Sequence, residues 1–191
     1  MYKQCTTEIT TARQRKLEQC LLEFLKSSSY DHITVGDICA AANLPRGMFY
    51  RYFDSKKDAL DALIDHTLLD FITSVIFSRT SESGDPLGMK AVINYWKSQE
   101  PLLEALTKNR KEALLFERSI ICCTQDANLL APHLAKAGHS TEPEVMVFCI
   151  NGILSAILIW HRSGYAKPTE EMADILHKLL TGPIVSPAEP G

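Results

Sequence analysis

Several signatures are missing from this chain, and each absence removes a class of protein. Spanning a bilayer takes about 20 consecutive apolar residues, and the most apolar run, Val145 to Trp160, is sixteen long and is interrupted by Asn151 and Gly152. It reads as a buried helix, with no membrane partner expected. The six cysteines, Cys5, Cys20, Cys39, Cys122, Cys123 and Cys149, form no CxxC pair and no regular framework. With no secretory signal ahead of them they read as reduced thiols of a cytoplasmic protein. Strand signals are scarce: there is no sustained period-two alternation, and no Asn-Gly or Asp-Gly pair stands as a hairpin turn between β-branched runs. No internal repeat or low-complexity tract is visible. Net charge is also small, at -3 over 191 residues, which argues against wholesale attraction to nucleic acid.

That small total hides an asymmetry. Residues 1–57 hold nine Lys and Arg against six Asp and Glu, a net of +3, so the remainder carries -6. A basic head on an acidic body suits a protein that presents one end to phosphates.

What is present reads as all-α. Leu17, Leu21, Leu22, Phe24 and Leu25 recur at mostly helical spacing until Ser27, Ser28 and Ser29 stop the run, giving a first helix over about Thr7 to Lys26. Short helices follow at Val35 to Ala42 and Pro45 to Tyr52, then a long one from Lys56 to about Arg79. The Ser-Glu-Ser-Gly-Asp-Pro stretch at 81–86 is the clearest loop. Beyond it the spacing predicts helices at about Pro86 to Gln99, Pro101 to Thr107, Arg110 to Ala137, Pro143 to Arg162 and Pro168 to Leu180, with each of those prolines in a first-turn position. The Pro-rich tail after Thr181 reads as frayed.

Residues 33–53, ITVGDICAAANLPRGMFYRYF, have local physical roles at nearly every position. Thr34 is placed as N-cap, Asp37 three residues on can reach back as an acidic capping box, and Ile33 with Ile38 makes a hydrophobic staple. Cys39, Ala40, Ala41 and Ala42 are small enough for a second helix to cross closely. Asn43 tolerates a left-handed corner, Leu44 plugs it, and Pro45 opens the next helix with φ already set. Two short helices on a tight turn give the helix-turn-helix geometry, whose second member enters the major groove. On that helix Phe49 and Phe53 share the inward face. Arg46 can offer a fork to guanine, Gly47 lets the backbone approach, and Met48 and Tyr50 can meet thymine methyls or sugars. Tyr52 and Lys56 are placed for phosphates, and Thr34 adds a helix N-terminus aimed at one.

The run T-V-x-D-I-x-x-x-A-N-L-P-R-G-M-F-Y-R-Y-F-D-S-K, Thr34 to Lys56, resembles the DNA-binding signature of the TetR/AcrR family, and its F-Y-x-Y-F-x-S-K ending is specific. With the preceding helix the likeness covers about a third of the chain, and the length and a count of about nine helices agree. The chain departs from the family pattern in four places. Asn43 replaces the usual turn glycine, Pro45 a common serine and Met48 a frequent threonine, while Gly36 leaves its helix without a side chain to reach DNA. The operator sequence therefore does not transfer from relatives.

The resemblance implies a three-helix DNA-binding head over residues 1–57 and a ligand-sensing and dimerisation body over 58–191. It implies a homodimer on double-stranded operator DNA, with repression as the default, and a small-molecule effector held by the middle helices. No metal or cofactor is expected. The dimer surface falls on the last two long helices, with Gly152, Ser155, Ala156 and Ile159 on one strip and Met172, Ile175, Leu176 and Leu179 on the other. Each strip could equally be monomer core. Tyr95, Trp96, Phe116, Ile120, Cys123 and Phe148 suit an apolar pocket, and few basic residues share their faces, which points to an apolar or aromatic effector. The bland alternative is ordinary core. A near-palindromic operator follows, with half-site centres roughly 34 Å apart or somewhat more.

Four other readings compete. An enzyme would use Cys122 or Cys123 with His133 as base, but neighbouring cysteines on a helix point about 100° apart and no third-residue motif accompanies them. A thiol-redox regulator would act through Cys122 and Cys123. Metal sensing would draw on His133, His139, His161 and the cysteines, with the histidines at irregular spacing. A helical adaptor without DNA binding would have little use for a basic head.

Overall fold

A computed structural model of the chain describes residues 2, 3, 5, 7–78, 88–125 and 142–181. Among these the regular structure is all helix: α1 Glu8–Ser27, α2 Val35–Ala41, α3 Arg46–Tyr52, α4 Lys56–Ser78, α5 Met89–Ser98, α6 Glu100–Lys108, α7 Ala113–Gln125, α8 Pro143–Arg162 and α9 Thr169–Thr181, with a single 3-10 turn at Tyr30–His32. The predicted extension of α7 to Ala137, the loop at 81–86 with Pro86, and the tail beyond Thr181 lie outside the described residues. Of the prolines read as first-turn residues, Pro143 is the first residue of α8 and Pro101 the second of α6. Pro168 precedes α9 and accepts from the Met172 amide at 3.0 Å.

The chain folds as two compact units. The first comprises residues 1–69 and 100–122, the second 70–99 and 123–191, so the divisions fall within α4 and α7 and between α5 and α6.

The first unit is built around α1. Thr7 caps it in a reciprocal box with Thr10, and it ends where Ser28 turns extended. Leu17, Leu21 and Leu25 lie on one stripe at four-residue spacing, and all are buried. Removing such a side chain from water is worth roughly 1.5–3 kcal/mol each. Against this stripe pack α2, α3 and α6, whose Ile38, Phe49, Phe53, Leu102, Leu103 and Leu106 complete the core with Leu60, Ile64 and Leu68 of α4. A few polar side chains are sealed inside as well. Glu18 is fully buried and meets His66 Nδ1 at 2.9 Å.

In the second unit α9 packs on α5 and α8. Its core holds Val92, Ile93 and Trp96 of α5, Leu154, Ile157 and Trp160 of α8, and Met172 and Leu176 of α9. Phe71 joins Trp96 at 5.3 Å and Tyr95 at 5.6 Å between ring centroids. By length and composition α8 is apolar enough to cross a membrane. Its buried stripe, Met146, Ile150, Ile153, Leu154, Ile157, Leu158 and Trp160, instead lies within the second unit.

Candidate nucleic-acid interface

Thr34 begins α2 in extended conformation. Its Oγ1 accepts from the Asp37 amide at 3.2 Å, and Asp37 Oδ2 accepts from the Thr34 amide at 2.9 Å and its hydroxyl at 2.7 Å. Those bonds favour the carboxylate and hold the Asp37 carboxyl below the usual range. Ile33 and Ile38, both buried, close the staple beneath.

The helix stops because Asn43 adopts the left-handed region at φ 53°. The Asn43 amide then donates to Ala40 O at 3.0 Å and the Leu44 amide to Cys39 O at 2.9 Å, the pair of bonds that defines a Schellman ending. An asparagine side chain is among the few that accept this conformation at small cost. Pro45 differs from expectation: it is the N-cap of α3, at φ -66° and ψ 147°, and Arg46 is the first helical residue. Having no side-chain donor or acceptor, it leaves α3 without a side-chain cap bond.

Phe49 of α3 and its C-cap Phe53 meet within the core at 5.1 Å with their rings tilted by 53°, while Arg46, Gly47, Tyr50 and Arg51 are exposed, Tyr50 by 48%, and Met48 is half-buried. A β-carbon added at Gly47 would meet no atom of the described residues within 4 Å, so no packing among them requires glycine there. Arg51 is an exposed cation that the sequence reading passed over; its position next to Tyr50 on the same short helix was the available signal.

Two expected phosphate contacts are placed otherwise. Tyr52 is only 5% exposed, with its ring against Phe53 at 6.3 Å, because it lies three residues after Phe49 and shares that inward face. Lys56 Nζ donates to the carbonyls of Tyr30 and of Ile33, the latter at 2.6 Å, and sits 4.2 Å from the Tyr30 ring centroid. Burial lowers its pKa, an effect that nearby Asp31 opposes. Its ammonium closes the turn before α2 and is not presented outward.

A short helix, a left-handed corner and a second short helix with one face packed and the other bare define a helix-turn-helix DNA-binding protein. The family model described as bacterial regulatory proteins, tetR family, matches residues 22–63, from α1 through the start of α4. The match is confined to that head, which is similar to the DNA-binding domain of TetR-family regulators, and it supports a DNA-binding regulator.

Solved structures share the fold over nearly the whole chain. A TetR-family transcriptional regulator from Syntrophomonas wolfei aligns at TM-score 0.61 and 17% identity, covering 94% of this chain and 99% of that one. The fatty acid degradation regulator FadR from Bacillus halodurans aligns at 0.58 and 14%, covering 93% and 96%. The TetR family repressor AlkX from Dietzia, implicated in biodegradation of n-alkanes, aligns at 0.54 and 19%, covering 86% and 95%. No curated protein matches the chain significantly.

The residues predicted for effector and dimer contacts are dispersed. Phe116 and Ile120 belong to the first unit, and Tyr95, Trp96, Cys123 and Phe148 to the second. Trp96 and Cys123 are fully buried and Tyr95 and Phe116 half-buried, whereas Ile120 and Phe148 are 45% and 61% exposed, on the outer faces of their helices. Phe148 instead lines a shallow apolar groove of about 80 Å³ with Cys149, Gly152, Ile153, Leu176, Leu179 and Leu180. On α8, Gly152, Ser155 and Ile159 are exposed and Ala156 is half-buried. On α9, Leu179 is exposed and Ile175 half-buried, but Met172 and Leu176 belong to the core of a single chain, since they face α5 and α8.

Cys122 and Cys123 are both fully buried, and burial pushes the Cys123 thiol up to about 11. His133 and His139 lie outside the described residues, and His161 shares a hydrogen bond of 3.2 Å with the Tyr165 hydroxyl. Among the described residues no group of three His, Cys, Asp or Glu side chains could hold a metal ion.

Proposed function

We propose that the chain is a homodimeric repressor that reads a near-palindromic operator through α3 and is released by a small apolar or aromatic molecule. The observation that carries the DNA reading is the bare face of α3: Arg46, Gly47 and Tyr50 are exposed, and the glycine answers to no packing demand. Arg46 would fork onto guanine O6 and N7, and Met48 and Tyr50 would meet methyls and sugars. Thr34 and Arg51 are the exposed residues available for phosphates. A gel shift against the DNA upstream of the chain's own gene, at stated salt, tests it. Retardation no stronger than for a scrambled duplex would refute it.

Dimerisation is supported by α8. Val145, Phe148, Gly152, Ser155 and Ile159 are exposed at alternating spacings of three and four, a continuous strip of the kind that packs against another helix. Ile159 is 70% exposed, and next to this strip lies the groove of Phe148, Ile153 and Leu179.

The effector class rests on the second unit. Phe71, Tyr95 and Trp96 form an aromatic cluster, and among the described residues the buried Trp96 Nε1 has no hydrogen-bond partner. An effector with an apolar body and one acceptor would suit it, because an unsatisfied buried donor costs about 1–3 kcal/mol. The names of two fold relatives, a fatty acid degradation regulator and a repressor implicated in n-alkane biodegradation, concern similarly apolar chemistry. Thermal shift across a panel of fatty acids, alkanols and aromatic compounds tests this, since a ligand of the folded form raises the melting point.

The thiol-redox alternative finds less support. Both candidate cysteines are sealed from solvent, and at Cys123 burial also raises the pKa, which leaves little thiolate to react.

A further inference from the structure

Seven residues, 28–34, connect α1 to α2, and their path decides where the reading head begins. The middle of this connection is held from outside the helix-turn-helix. Asn109 Oδ1 accepts from the Tyr30 amide at 2.6 Å, and Asn109 Nδ2 donates to Ala105 O at 2.8 Å and Leu25 O at 3.3 Å, so one carboxamide ties α6, the end of α1 and the turn together. Lys108 Nζ adds a bond of 2.7 Å to Lys26 O. From the other direction Lys56 holds the Tyr30 and Ile33 carbonyls, and the ammonium groups of Lys56 and Lys111 lie 4.2 and 4.3 Å from the Tyr30 ring centroid.

Asn109 is itself fixed. It is followed by Arg110 at φ 54°, a left-handed conformation that a non-glycine residue adopts at some cost. The Arg110 amide donates to Thr107 O at 3.1 Å and the Lys111 amide to Leu106 O at 2.8 Å, a second Schellman ending, which aims the carboxamide back at Tyr30. From Tyr30 only three residues lead to the Thr34 cap, and the last of them, Ile33, is buried as the first half of the staple.

We infer that Asn109, 79 residues away in sequence, is a positioning residue for operator reading, and that its Oδ1 bond to the Tyr30 amide sets the register of α2 and hence of α3. This rests on the operator-binding reading above. The two substitutions Asn109→Ala and Asn109→Asp separate this role from plain stabilisation. Alanine removes every bond. Aspartate keeps an acceptor for the Tyr30 amide but loses both donations to the carbonyls of Leu25 and Ala105.

Operator affinity and affinity for a scrambled duplex would be measured by fluorescence anisotropy at fixed salt, alongside melting temperature and hydrogen exchange of the amides of residues 33–38. The expected result is that Asn109→Ala weakens operator binding about tenfold, leaves scrambled-duplex binding unchanged and speeds exchange across 33–38. Asn109→Asp should keep near-wild-type operator affinity and exchange while melting at the lower temperature. Affinity and exchange that follow melting temperature alike in both variants would overturn the inference, as would wild-type binding by Asn109→Ala. A wild-type chain that ignores every operator would refute the DNA reading, and the exchange comparison would then decide this inference without DNA.

Discussion

Arg118 grips both carboxylate oxygens of Asp65: its Nε lies 2.6 Å from Oδ1 while Nη2 donates to Oδ2. The fork matches the planar carboxylate, and it is shut away, with the Asp65 side chain 4% and the Arg118 side chain 14% exposed. The Tyr2 hydroxyl donates to the same Asp65 at 2.7 Å, so the N-terminal segment, α4 and α7 meet on one carboxylate. Removing one partner of a buried pair strands the other charge. Asp65→Ala is therefore expected to cost about 3 kcal/mol of unfolding free energy, and Tyr2→Phe about 1 kcal/mol. Urea unfolding would measure both, and an Asp65→Ala protein as stable as wild type would contradict this account.

On α3 the substitutions Gly47→Leu and Arg46→Ala should leave the melting temperature intact, because Gly47 has open space around it and Arg46 is exposed. Both should weaken operator binding. For Arg46→Ala the loss should be about 1–3 kcal/mol and confined to one base position. For Gly47→Leu it should extend over the whole half-site, since a bulky side chain lifts the helix from the groove. Anisotropy titrations against a set of single-base operator variants distinguish the two patterns.

Acid should act on the start of α2. Thr34 hydrogen bonds lower the Asp37 pKa in the folded chain, so the linked stability is fully present above the unfolded value of about 3.9. It is lost as pH falls through the lower, folded value. Asp37→Asn should remove this dependence. Melting curves of both proteins between roughly pH 3 and 6 would show wild type losing its advantage toward the acid end, and parallel curves would contradict the assignment.

Association through α8 is tested by Ile159→Asp and Gly152→Trp. Ile159 is 70% exposed in the single chain, and a β-carbon at Gly152 meets nothing within 4 Å among the described residues, so both changes are expected to leave the fold of one subunit in place. Sedimentation should show monomers with unchanged circular dichroism. A persistent dimer in both variants would move the interface elsewhere.

The parts of this head legible in the sequence were those whose partners are near in the chain. Thr34 and Asp37 are three residues apart, Phe49 and Phe53 four, and the amides of Asn43 and Leu44 close the corner on carbonyls three and five residues back, respectively. Helical periodicity and capping chemistry encode such relations directly. Tyr52 obeyed the same periodicity, three residues from Phe49, and its burial was available from that spacing. Lys56 and Asn109 were not legible, because they act across 23 to 79 residues on backbone atoms that carry no sequence signature. The aromatic faces of α5 and α7 posed a different difficulty. An apolar residue at helical spacing has the same pattern whether it ends as sealed Trp96 or as Ile120, 45% exposed.

In α3 the groups that keep the protein folded and those that face outward are different atoms on opposite sides of seven residues. Phe49 and Phe53 hold the rod in place and Asn43 fixes its angle, while Arg46, Gly47 and Tyr50 are exposed, Tyr50 touching the packed face only through the edge of its ring on Phe49. Such separability makes the head an evolvable cassette: a library randomised at those three positions would sample new binding preferences while every member stays properly assembled.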